Sequence, residues 1–230
     1  MAAPTVESTQ ETAVSSNVTT HTLTFPTPIT AGATLIDAIS LDDDNNNTVW
    51  PSTGTVFNKL FETTNVAGAD DMTLSGAWAE ADGTEDGGTF DVTVDGGEKS
   101  FSVCKSLTGA ADPDTSPPEV GTAATGQSDS PNPPSLTPTG GPKDFFYFAC
   151  SSAVLDTFTG FPTGYGNTGS GGSGSAGGDA ALGYADKGTT GSSSDDPAVF
   201  TLTSVNWIAQ TFGVHPAAAD GDVLMAQVMM

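Results

Sequence analysis

Along most of this chain apolar and polar residues alternate one for one. In "THTLTFP" (20–26), "TFDVTV" (89–94) and "SFSVCKSL" (100–107) apolar side chains recur at every second position, the period of a β-strand. Strands are also expected over 4–12, 34–41 ("TLIDAISL"), 56–64, 72–80 ("MTLSGAWAE"), 119–125, 144–151 ("DFFYFACS"), 180–185, 198–203 and 206–214 ("NWIAQTFGV"). Clusters of Gly, Pro, Asp and Ser ("DGTEDGG", "DGGEK", "SPPEV", "SDSPNPP") separate them and supply turn geometry. No segment carries a sustained helical period. The pattern predicts an all-β fold, an antiparallel two-sheet sandwich of jelly-roll type, with one domain over 1–216.

Three stretches depart from alternation. Residues 108–143 are rich in Pro, Gly, Ser and Thr and read as edge strands and extended crossovers. The Gly-Ser tract 160–179 reads as a mobile loop at one end of the sandwich, because so few side chains cannot pack a core. Residues 217–230 form a short C-terminal extension ending in "VLMAQVMM". Its apolar side chains (Val223, Leu224, Met225, Val228, Met229 and Met230) suit either packing on their own domain or docking against a neighbouring subunit.

Composition narrows the partners. Asp and Glu total 28 against five cations, all Lys, for a net charge of -23. Nucleic-acid binding needs a basic footprint, and anionic membrane surfaces repel such a chain, so neither partner is expected. Charge of this size repels itself in dilute buffer and suits a medium where salt screens it, which points to a halophilic source. Halophilic proteins usually keep Arg, so the all-Lys cation set is a departure. Cys104 and Cys150 lie within strands and read as buried free thiols. The N-terminus lacks the basic and apolar regions of a secretory signal, and no apolar run is long enough to span a membrane.

At "ADGTEDGGTFDV", "KSLTGAADPDTSPPEV", "SDSPNPPSLTPTGGPKDFFYF", "FTGFPTGYGNTG" and "NWIAQTFGVHPA" the chain resembles a group of β-sandwich structural proteins of tailed viruses. The resemblance covers roughly residues 4–217. In that group a short Gly-containing turn precedes the Trp-Pro pair; here "DDDNNN" replaces it. With the acidic composition, this implies a virion protein of a virus infecting a halophilic archaeon. It would be made in the host cytoplasm and placed on the virion surface. The expected role is head decoration or a turret, in contact with copies of itself and with other virion structural proteins. A tail or baseplate adhesin binding a host surface glycoprotein, glycan or S-layer is the alternative.

The resemblance carries no catalytic residues, and the chain contains no nucleophile elbow. The G-x-G-x-x-G strings of the Gly-Ser tract fall in low-complexity sequence without a following helix. Glu62, Glu80 and Glu119 are the strand carboxylates that a glycan-cleaving enzyme would need, a weaker alternative among so many acids. His21 and His215 read as structural residues. Trp50, Trp78 and Trp207 are expected in the core. Phe161, Tyr165 and Asn167 are candidates for a host- or ligand-binding loop, with Phe161 better read as an anchor beneath it. In "LDDDNNNTVWP" Asp42, Asp44 and Asn46 match positions 1, 3 and 5 of a calcium loop. The required Gly and final acid are missing, which leaves at most a loose surface site for Ca²⁺ or Mg²⁺. No other cofactor is expected.

Overall fold

The structure, a computed structural model, describes residues 2–42, 47–66, 71–154, 157–174 and 180–218. Eleven strands are formed in these segments: β1 (Thr5–Thr24), β2 (Thr34–Leu41), β3 (Asn58–Asn65), β4 (Met72–Glu80), β5 (Thr89–Thr108), β6 (Glu119–Val120), β7 (Ala124–Ser128), β8 (Phe146–Ala153), β9 (Gly166–Gly172), β10 (Ala181–Gly188) and β11 (Val205–Val214). One sheet has the order β1-β5-β2-β4-β3; the other has the order β6-β11-β8-β10-β9, with β7 also pairing β11. Every strand pairing is antiparallel, giving the two-sheet sandwich that alternation predicts.

The first core lies between the sheets. Alternate residues of β5 (Phe101, Val103, Leu107) and of β2 (Ile36, Ala38) meet Phe146, Phe148 and Cys150 of β8, Leu182 and Tyr184 of β10, and Phe212 of β11. A second core covers the outer face of the first sheet. There Leu35, Ile39 and Leu41 of β2 and Ala77 and Ala79 of β4 pack beneath Leu23, Phe25, Phe90, Val92 and Val94, with Trp50 and Phe57 alongside. The far halves of β1 and β5 therefore fold back over their own sheet. Register shifts between Val14 and Val18 and between Val18 and Thr20 mark where the two-stranded ribbon bends. With both faces covered, all eight residues of β2 are buried, although a strand with one wet face would alternate.

This bend corrects one expectation. Residues 5–12 and 20–24 of the two expected strands belong to the single strand β1, 89–94 and 100–107 both belong to β5, and "DGGEK" is carried inside β5 as an irregularity. A second correction concerns the Gly-Ser tract: residues 166–172 are the edge strand β9, paired with β10, and not a mobile loop. Its glycines make room for rings contributed by other strands. A Cβ on Gly169 would stand 2.2 Å from the Tyr184 hydroxyl, and one on Gly171 would stand 2.2 Å from the Phe101 ring. Residues 198–203 form only an isolated bridge, Gly160 to Thr201, while Phe200 fills a small core with Phe158 and Leu202.

Both thiols are free and buried, as expected. Cys150 points between the sheets, whereas Cys104 shares the opposite parity of β5 with Ser102 and Ser106 and points toward the outer core. The two stand on opposite sides of the first sheet. Burial pushes both thiols up, away from the reactive thiolate.

Candidate functional site

A hollow lies where the folded-back ribbon ends. Phe25 and Phe90 form its floor, their ring centroids 4.6 Å apart, with Phe57 stacked 4.7 Å beyond Phe90. The loops around Thr53–Thr55 and Asp82–Gly88 form its walls. Glu85 ties these loops together: its carboxylate accepts hydrogen bonds from the Asp82 and Gly83 amides and from the Thr55 hydroxyl, each at 2.9 Å. Asp82 in turn accepts from the Thr84 amide at 2.8 Å and the Thr84 hydroxyl at 2.6 Å. Its neighbour Gly83, at φ +88°, takes a backbone conformation that a larger residue would resist.

The hollow encloses about 520 Å³ and adjoins a second of about 420 Å³, with which it shares Gly54, Thr55, Asp82 and Glu85. Together they form a cleft lined by Glu80, Asp82, Glu85, Asp91 and Asp114, with threonine hydroxyls between them. Among the described residues no lysine or histidine lines it. The walls therefore offer many acceptors and hydroxyls over an apolar floor. Such a surface repels phosphates and carboxylates and suits a neutral polyhydroxyl compound or a cation. At its margin Glu80, Asp112 and Asp114 bring carboxylate oxygens within 4.8 Å of one another, a set of hard oxygen donors of the kind Ca²⁺ or Mg²⁺ accepts.

A smaller hollow of about 260 Å³ surrounds His215, Glu119, Lys143 and Thr139. His215 Nε2 lies 2.7 Å from Glu119 Oε1, and Lys143 Nζ lies 3.5 Å from Nδ1. An ammonium only donates, so Nδ1 accepts and Nε2–H donates to Glu119. Burial alone would raise the Glu119 carboxyl, but hydrogen bonds from Thr139 and His215 outweigh it and hold the group below its ordinary range. Both ring nitrogens thus face side chains of the protein, Lys143 on one side and Glu119 on the other. His21 sits in the other sheet, fully buried, its Nδ1 2.7 Å from the Ser100 hydroxyl. The two histidines do not form a pair.

The three strand carboxylates are likewise separate. Glu62, opposite Ser75 on β4, accepts from the Thr48 amide at 2.7 Å and lies 3.3 Å from Lys59 Nζ. Glu80 lies at the far end of β4 and Glu119 in the other sheet.

Phe161 is half-buried, its ring edge-on to Phe200 at 6.1 Å, which matches its reading as an anchor. Tyr165 packs against the same small core. Its hydroxyl donates to Asp195, and Lys187 lies over its ring at 5.5 Å. Burial, then the hydrogen bond to Asp195, pushes its phenol far up. Asn167, exposed and in the left-handed region at φ 43°, donates through Nδ2 to Asp186 at 2.9 Å. The structure thus draws these three side chains toward interior partners. Asp42 accepts from the Lys99 amide at 2.7 Å. Asp44, Asn46 and the extension residues Val223, Leu224, Met225, Val228, Met229 and Met230 lie outside the described residues. Trp50, Trp78 and Trp207 are all buried, as expected.

One polar group escaped the reading of the pattern. Lys105 is 1% exposed between the sheets, with Nζ 2.9 Å from Asp186 Oδ2 on β10. Its ammonium lies 4.8 Å from the centroid of the Tyr184 ring, whose hydroxyl donates to Glu11 at 2.6 Å. The signal was present: Phe101, Val103, Lys105 and Leu107 share one face of β5, so the lysine stands in an inward register.

No protein-family model matches the chain, and no curated protein or solved structure is significantly similar to it.

Proposed function

We propose that this chain is a non-enzymatic structural protein of a virus particle, displayed on the capsid surface as a decoration or turret. The observation that carries the reading is the use of buried polar groups as ties between layers. The Ser40 and Ser152 hydroxyls meet at 2.6 Å between β2 and β8, and Lys105 pairs with Asp186 between β5 and β10. Asn65 Nδ2 donates to the Trp207 carbonyl at 3.1 Å, joining β3 to β11. Such ties favour one rigid arrangement of the layers over others. Rigidity under a strongly acidic surface suits a projecting block bathed in salt, and it accords with the resemblance to structural proteins of tailed viruses. Partners would be further copies of the chain and other virion proteins, with residues 223–230 as the docking segment.

The acceptor-lined cleft over Phe25 and Phe90 favours a second reading, an adhesin that holds a neutral host glycan. Purified particles distinguish the two. A map showing copies symmetrically placed on the head supports decoration, and copies confined to the tail tip support the adhesin. Absence of the chain from purified particles would defeat both.

A further inference from the structure

The Lys105–Asp186 pair has the arrangement of two reactants as well as of an ion pair. The amine touches the carboxyl at 2.9 Å, and both side chains are at most 5% exposed. Phe148 and Tyr184 place aromatic rings beside the ammonium, at 5.8 Å and 4.8 Å. Two opposite charges held this dry are costly to keep ionised, so transfer of a proton from ammonium to carboxylate is far less unfavourable here than in water. Burial pulls the Lys105 amine toward its neutral, nucleophilic form, while the charge of Asp186 opposes this.

The neighbours complete the chemistry. Asn167 Nδ2 donates to Asp186 Oδ1 at 2.9 Å, leaving Oδ2 to face the amine. Oδ1 is therefore the oxygen on which negative charge would be stabilised during attack at Cγ. Thr9, paired with Lys105 across β1 and β5, places its hydroxyl 3.4 Å from Nζ. Glu11 lies on the same face of β1 two residues along, acts electrostatically on Lys105, and is open to solvent.

We propose that Lys105 and Asp186 join spontaneously in an intramolecular amide bond that staples β5 of one sheet to β10 of the other. Lys105 gives one proton to Asp186 Oδ2, producing an amine and a carboxylic acid. The nitrogen lone pair forms the N–Cγ bond, and charge moves onto Oδ1 beside Asn167. A second proton leaves nitrogen for the departing Oδ2 by way of Thr9 and Glu11. The Cγ–Oδ2 bond then breaks, and that oxygen leaves as water. Ammonium and carboxylate become amide and water, with no change in oxidation state and no cofactor required. The fixed approach of the two groups replaces the activation that amide synthesis needs in solution, and the dry core opposes hydrolysis.

Intact-mass spectrometry of the full chain, folded in high salt and then denatured, tests this. The expected mass is that of the sequence less one water. Fragmentation should give a branched peptide joining the segment around Lys105 to the segment around Asp186. Lys105→Arg and Asp186→Ala should each show the full mass. Glu11→Gln, changed at an exposed position, should form the link about a hundredfold more slowly. If the folded native chain keeps its full mass after prolonged incubation, or if the lost water maps to another site, the proposal is overturned. The native chain decides this by itself, even should a core variant fail to fold.

Discussion

Replacing Asp37 by Asn should remove a large part of the pH dependence of stability. Asp37 lies in the middle of β2, 1% exposed, facing the outer core. Its polar neighbours are the Ser102 hydroxyl, 3.1 Å and 3.2 Å from the two carboxyl oxygens, and the Cys104 thiol. Neither carries a compensating positive charge. Burial therefore pushes the carboxyl up from 3.8 to about 8, against the hydrogen bonds from Ser102 and Cys104. Because the folded value is the higher one, the stabilisation is fully present below the unfolded value and is lost as pH rises through the folded value. Between those limits the folded chain holds a proton that the unfolded chain has released. Each pH unit in that window lowers stability by about 1.4 kcal/mol, or roughly 2.5–3 kcal/mol from about pH 5 to about pH 7. Asn keeps a carbonyl oxygen for Ser102 and does not titrate. Chemical denaturation of both proteins at several pH values, in the same high salt, isolates the contribution as a difference in slope, since the other titrating groups are shared. The native chain should lose stability relative to Asp37→Asn by the stated amount. Parallel profiles would show that Asp37 is ionised in the fold and refute the reasoning.

Three further outcomes are expected. Gly171→Ala should cost about 1–3 kcal/mol in denaturation, because its Cβ would stand 2.2 Å from the buried Phe101 ring. Gly166→Ala on the same strand, where nothing lies within 4 Å, should change stability by no more than about 0.5 kcal/mol. Burial holds the His21 imidazole below its ordinary 6.5, with the nearby Asp42 charge opposing. Its contribution is therefore complete above 6.5 and declines as pH falls toward the folded value; a proton titration of His21 by NMR should show that depressed midpoint, and a midpoint above 6.5 would contradict it. Lowering salt from about 1 M to 0.01 M lengthens screening from about 3 Å to about 30 Å. With a net charge of -23, circular dichroism should then report unfolding at a lower temperature, and an unchanged melting curve would refute the halophilic reading.

The local pattern was enough for β2 and β4, whose observed limits, Thr34–Leu41 and Met72–Glu80, are those expected from the sequence. Both are apolar runs bounded by turn residues, so period and punctuation agree. The sandwich class and the buried tryptophans and thiols follow from the same short-range information. Alternation also marks Lys105 as inward-facing, but it cannot supply Asp186, which lies 81 residues away on the opposite sheet. Nor could it show that β1 and β5 run through their polar interruptions and fold back, because bending depends on which residues oppose each other across the pair. β9 was illegible for a related reason. Its glycines are apolar in effect only because Phe101 and Tyr184 lie over them, and those rings come from distant strands. The cleft, too, exists only where loops remote in sequence are drawn together by Glu85. The sequence by itself thus determined the strand period, the class of fold and the acidic exterior, all of which are summed residue by residue. Tertiary structure alone decided the second core, the place of the glycine-rich strand and the partners of each buried charge, because those depend on contacts between segments far apart in the chain.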